Sequence, residues 1–118
     1  MTILIASIST GKGTWAEVSK IIQIEKWSKV ILIGNSFAKD NFKMNQNSEF
    51  IEIDPNKSVK EIKNTIIEKL KGKIEDPEVV LNIVSGTGKE HMATISALLS
   101  LGLGIRFVNV SPEGIEEL

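Results

Sequence analysis

With 118 residues, 42% of them apolar and 25% charged, the chain has the size and balance of one globular domain, which excludes intrinsic disorder. Its net charge of −1, with lysine and glutamate interspersed, excludes a general duplex-binding surface, and the lack of cysteine excludes disulfides, thiolate metal sites and a cysteine nucleophile. No apolar run is long enough to span a bilayer and no signal peptide opens the chain, so a cytoplasmic protein without a membrane partner is expected.

The first predicted element is a strand at Ile3 to Ile8, whose nearly continuous apolar run fits burial on both faces of a parallel sheet. It breaks at Ser9-Thr10-Gly11-Lys12-Gly13, and Thr14-Trp15-Ala16-Glu17 reads as a capping box opening a helix with Val18, Ile21 and Ile22 inward. Val30 to Ile33 is a second buried strand, ending at Gly34-Asn35-Ser36. From Phe37 to Ser48 the periodicity fades, with room for a short helix or a packed loop. Glu49 to Asp54 is a strand of imperfect alternation, expected near the edge of the sheet and stopped by Pro55.

Ser58-Val59-Lys60-Glu61 is a second capping box, and Val59, Ile62, Ile66, Ile67 and Leu70 trace the apolar face of its helix up to the stop at Gly72. The run Val79 to Val84 predicts a further buried strand, which ends abruptly at Ser85-Gly86-Thr87-Gly88-Lys89. Thr87 and Glu90 form a third capping box, and Ile95, Leu98, Leu99 and Met92 are assigned to the buried face of the helix that follows. A last strand covers Ile105 to Val110, and the tail from Glu113 to Leu118 reads as short and polar.

Strands alternating with helices predict an α/β, Rossmann-like, three-layer doubly wound and mainly parallel sheet of about five strands, within a single domain over 1–118. The first strand should lie beside the fourth, at a topological switch point, so that the two glycine turns face one crevice. Each turn offers hydroxyls, two glycines and a lysine, and a helix N-terminus beside them presents free N–H groups. That inventory points to a phosphate or another polar anion.

Neither turn is a Walker loop, because Gly88-Lys89 is followed by Glu90 and Gly11-Lys12 by Gly13. A dinucleotide G-x-G-x-x-G also fails, with His91 where the third glycine belongs. The plainer reading of both turns is tight strand-to-helix geometry. His91 is the only histidine, and a surface or packed role is the plainer one for it, since no second histidine supports a metal site. Trp15 and Trp27 read as packing residues, and Arg106 as a strand residue paired at an edge or interface.

These features resemble the CRISPR-associated Rossmann fold, or CARF, domain. The likeness rests on Leu81-Asn82-Ile83-Val84-Ser85-Gly86-Thr87-Gly88-Lys89 with Met92 after it, and on Ser9-Thr10-Gly11-Lys12-Gly13-Thr14 after the first strand. The family commonly places two adjacent glycines before the threonine, whereas here Thr87 separates Gly86 from Gly88. Family members usually carry a ribonuclease or winged-helix domain as well, so the resemblance implies either a stand-alone protein or a sensor domain from something longer.

What the resemblance implies is a homodimer that binds cyclic oligoadenylate across its two-fold axis in CRISPR-linked antiviral defence, with no other cofactor and no metal. Ligand contacts would come from Ser9, Thr10, Gly11, Lys12, Gly13, Thr14, Asn35, Ser85, Gly86, Thr87, Gly88 and Lys89. Its sharper form is a metal-independent ring nuclease in which the ribose 2′-OH attacks the adjacent phosphate. Lys89 and Lys12 would stabilise charge there, Ser9, Thr10 or Ser85 would position the ribose, and His91 would be an acid or base. Two other readings stand beside it: a binding module for another nucleotide or phosphometabolite, and a non-catalytic interaction domain. A DNA-binding regulator is disfavoured by the lack of a helix-turn-helix segment and of a basic surface.

Overall fold

The structure is a computed structural model that describes every residue except Met1, Thr10 and Gln46, and of Lys12 the backbone alone. The elements follow in the order β1 (Ile3–Ile8), α1 (Trp15–Ile24), β2 (Lys29–Gly34), α2 (Ser36–Asn41), β3 (Ser48–Glu52), α3 (Val59–Leu70), β4 (Glu78–Asn82), α4 (Gly88–Ser100), β5 (Gly104–Ser111) and β6 (Gly114–Glu117). The six strands form one sheet in the order β3-β2-β1-β4-β5-β6, parallel throughout except for the antiparallel β6. This is the Rossmann-like α/β architecture expected, with β3 on an edge and β1 beside β4.

The strands sort their side chains by the period of two. Ile3 and Ile5 of β1, with Ile31, Ile33, Val79 and Leu81, face Ile62, Ile66 and Leu70 of α3 and Ala93, Ala97 and Leu98 of α4. Leu4, Ala6 and Ile8, with Val30, Leu32 and Val80, face Val18, Ile21 and Ile22 of α1 and Ala38 of α2. All six residues of β1 are therefore buried, as a central parallel strand requires. Each large aliphatic side chain so buried contributes about 1.5–3 kcal/mol relative to exposure. The register ends with Ile8 beside Gly34, where a Cβ on Gly34 would stand 2.1 Å from the Ile8 carbonyl oxygen. Only glycine allows the two strands to end so close together.

Two of the three capping boxes form. Ser58 Oγ accepts from the Glu61 N–H at 3.1 Å and Glu61 Oε1 accepts from the Ser58 N–H at 3.2 Å; Thr87 and Glu90 do the same for α4. Thr14 does not cap α1 with its side chain, because a 3₁₀ turn over Lys12–Thr14 runs straight into the helix and gives Thr14 helical dihedrals. The indistinct segment contains the short α2, started by Asn35 Oδ1 accepting from the Ala38 N–H at 2.9 Å.

Two further expectations are corrected. Leu99 and Met92 lie outside the core, each 61% exposed, because α4 approaches the sheet through the small Ala93, Thr94 and Ala97 together with Leu98. The C-terminal tail is ordered into β6, which returns along β5 after a turn at Gly114 with φ of +124°. Arg106 on β5 ties this hairpin to β4 through Glu117 and Glu78. Its hydrogen bond holds the Glu117 carboxyl below the ordinary carboxylate range. No helix among the described residues is long and apolar enough to cross a membrane.

Candidate functional site

β1 and β4 are neighbours whose chains leave the sheet into helices on opposite faces, and a crevice of about 420 Å³ opens between their carboxyl ends. Ser9, Gly11, Gly13 and Thr14 form one side, and Val84 to Thr87 the other. The two glycine turns therefore meet.

A chain of hydrogen bonds joins them. The Ser9 N–H donates to Ser85 Oγ at 3.0 Å, and Trp15 Nε1 donates to the Ser9 carbonyl at 2.6 Å. On the other side, His91 Nε2 lies 2.7 Å from the Ser85 carbonyl. Ser85 is buried, so its hydroxyl and carbonyl are committed to holding the turns in register. Gly86 next to it has φ of +107°, and a Cβ there would stand 3.0 Å from His91 Nε2 and 3.1 Å from Glu90 Oε1. The turn is closed from below by these two side chains.

Upstream, the buried Asn82 shapes the same turn. Its side-chain amide donates to the Val108 carbonyl at 2.8 Å and its Oδ1 accepts from the Val84 N–H at 3.2 Å. Paired β4–β5 register stops at Leu81 beside Phe107, and Asn82 satisfies the backbone where the ladder opens.

The first turn of α4 is electrostatically mixed. Its N-terminus carries a partial positive charge, and the helix spans 13 residues. The Glu90 carboxylate is buried beneath it, accepting from the Thr87 N–H at 2.7 Å. Part of the helix's positive end is thus already answered, so an anion held here needs a cation as well.

The expected cations are placed as follows. Lys89 is half-buried, and its ammonium donates to the Pro55 carbonyl at 2.9 Å, bridging α4 to the loop that precedes α3. It does not line the crevice in this conformation. Thr10 and the Lys12 side chain lie outside the described residues. Asn35 lies at the end of β2, where it lines a neighbouring cavity rather than this crevice. Ser9, Gly11, Gly13, Thr14, Ser85, Gly86 and Thr87 are gathered around the crevice, and Gly88 is the first residue of α4. His91 lies beneath the turn as a strut. Glu90 is the capping-box partner that its spacing from Thr87 predicted, and Asn82 is the shaping residue given no role in advance; a polar residue closing an apolar strand was the signal for it. Among the described residues no group of three or more histidines and acids is placed to hold a metal ion.

No protein-family model matches the chain, and no curated protein matches it in sequence. Solved structures do share its fold. The crystal structure of protein VC1899 from Vibrio cholerae superposes with a TM-score of 0.62 at 18% identity, over 98% of this chain and 35% of that one. Enterococcus italicus Csm6, solved bound to cyclic hexa-2′-fluoro-hexa-dAMP, superposes with a TM-score of 0.60 at 17% identity, over 98% of this chain and 35% of that one. The chain thus spans about a third of the length of either structure.

Proposed function

We propose that residues 1–118 are a CARF-like domain that binds cyclic oligoadenylate at a homodimer interface. The observation that carries this reading is the meeting of the two glycine turns at the β1–β4 switch point, beside the N-terminus of α4. Fold likeness to Csm6, a protein solved with a cyclic oligoadenylate analogue, supports it.

The phosphate is assigned to the crevice, beside the N-terminus of α4, whose first amides have no carbonyl partner within the helix. Lys89 would leave the Pro55 carbonyl and turn to the phosphate; a hydrogen bond of this kind is worth about 0.5–1.5 kcal/mol net, so the exchange is easily driven by a charged ligand. Lys12 and Thr10 would contact the ligand from the β1 turn. The dimer surface is assigned to the exposed stripe of α4, Met92 and Leu99, which lie seven positions apart on one helical face and lead up to the exposed Val84 at the crevice. A two-fold axis there would present the same turns to each half of a symmetric ring.

In the sharper form the domain also opens its ligand. A ribose 2′-oxygen, losing its proton, attacks the adjacent phosphorus; the bond to the 5′-oxygen breaks, and that oxygen takes up a proton. The protein's part is alignment and charge stabilisation by Lys89 and Lys12, with His91 as the acid or base once it is released from Ser85.

The test is to incubate the protein with cyclic tetra- and hexa-adenylate in EDTA and to follow melting temperature and ligand integrity. Stabilisation with an intact ring is the result for a sensor, and conversion to shorter adenylates with EDTA present is the result for a ring nuclease. No shift and no cleavage refutes the reading. A monomer stabilised by a mononucleotide instead would favour a binding module for another nucleotide, which the room in one chain's crevice permits.

A further inference from the structure

A second cavity, of about 410 Å³, lies at the carboxyl ends of β2 and β3, walled by Asn35, Phe37, Glu52, Asp54 and Asn56. Its position is fixed relative to the crevice. β2 is locked against β1 by the close approach of Gly34 to Ile8, and Trp15 links the two hollows directly. The Trp15 ring lies 6.0 Å from the Phe37 ring on the wall of the second cavity, while its Nε1 holds Ser9 on the wall of the first. Strand spacing of about 4.8 Å places the two hollows roughly two strands apart.

The two hollows differ in chemistry. The crevice offers amides and small residues, whereas the second cavity sets an aromatic ring against two carboxylates. Phe37 is 39% exposed, yet it is backed by Trp15, so an apolar face is held ready rather than left loose. Glu52 Oε1 lies 3.5 Å from the Lys39 ammonium, and Asp54 Oδ1 accepts from the Asn56 N–H at 2.9 Å. Each carboxylate has a second oxygen, and an ionised carboxylate only accepts hydrogen bonds. Lys39 answers Glu52, and the Lys89 ammonium reaches the Pro55 carbonyl on the same wall, so the charge is mixed; the remaining carboxylate oxygens are acceptors for a planar group that donates.

We propose that this cavity seats the base of the ligand, stacked on Phe37, and that it selects a purine bearing an exocyclic amine. The proposal rests on the cyclic-oligoadenylate reading above and fixes the ligand's direction: phosphate between β1 and β4, base towards β3. Asp54 and Glu52 accept the amine, and Phe37 supplies the stacking face. Adenine fulfils both demands. Hypoxanthine stacks as well but sets a carbonyl oxygen against the carboxylates.

The experiment is calorimetric titration of the whole chain with cyclic tetra- and hexa-adenylate and with the matching cyclic inosinates, on the native protein and on Phe37→Ala. The inosinates should bind about tenfold or more weakly, the loss expected when a hydrogen bond to a charged group is removed. Phe37→Ala should weaken the adenylates at least about fivefold, the lower end for losing one stacked base. Equal affinity for the two kinds of ring removes the amine selectivity, and unchanged affinity in Phe37→Ala removes the seat, while the crevice reading stands in both cases. No binding of either adenylate by the native protein overturns the crevice reading and this proposal with it. Should Phe37→Ala not fold, the comparison of rings on the native protein decides alone.

Discussion

Replacing Gly86 by alanine tests whether the turn between β4 and α4 is built as described. An alanine at φ of +107° sits in backbone territory that L-residues rarely occupy, a strain of about 1–3 kcal/mol. The new methyl would also stand 3.0 Å from His91 Nε2, so the imidazole shifts by a few tenths of an ångström and loosens its bond to the Ser85 carbonyl, worth about 1 kcal/mol at most. The sum is about 1–4 kcal/mol, or roughly 4–16 °C in Tm at about 4 °C per kcal/mol for a chain of this size. Urea denaturation should show a lower midpoint with an unchanged slope.

A cycle with His91→Ala sharpens the test, because both single variants disturb the same hydrogen bond. The double variant should therefore be less destabilised than the sum of the singles, by about 1 kcal/mol at most. Stability of Gly86→Ala within about 0.5 kcal/mol of the native protein would refute both the strained turn and the strut beneath it.

Other perturbations separate site from scaffold. Lys89→Ala should abolish binding or turnover of cyclic oligoadenylate while costing no more than about 1 kcal/mol of stability, since its bond to Pro55 is solvent-exposed; intact binding by titration would remove Lys89 from the site. Ser85→Ala leaves the Ser9 N–H without its acceptor and should lower stability by about 1–3 kcal/mol in urea melts, a loss that Ser85→Thr partly restores. Under the proposed dimer, Leu99→Glu should sediment as a folded monomer with helical circular dichroism retained, and an unaltered dimer would place the interface elsewhere.

The pH prediction concerns Glu61, whose carboxyl is held below its ordinary value first by the Ser58 backbone N–H and then by the Ser58 hydroxyl. A folded-state value below the unfolded one gives a contribution that is present at neutral pH and lost as pH falls through the folded value. Glu61→Gln should therefore show a smaller loss of stability on acidification than the native chain, measured by denaturant melts at matched pH.

Apolar runs made the parallel core legible, because Ile3 to Ile8 and Val79 to Leu81 have no polar face to offer solvent. The switch point followed from alternation alone. Helix contact was less legible where small residues decide it: Ala93, Thr94 and Ala97 carry little hydrophobic signal, yet they let α4 approach the sheet and turn Leu99 outward. Strand β6 was hidden because Gly114-Ile115-Glu116-Glu117 reads as polar, and its pairing comes from the turn at Gly114 and from Arg106 across the hairpin. At the site, residue types predicted which turns would meet but not where long side chains would point. Lys89 reaches the Pro55 carbonyl, which lies 34 positions away and beyond any local pattern. Asn35, counted with the ligand contacts, serves first as the cap of α2.

The hydrogen bond from Ser9 to Ser85 joins residues 76 positions apart. Neither half of the chain holds the crevice, and it cannot exist until the loop between the halves has closed. Non-local pairing on this scale is slow to form, so the crevice should be among the last features to mature during refolding. Ligand capture in a stopped-flow experiment would then lag behind helix formation, and the site would report the completed sheet rather than any fragment of it.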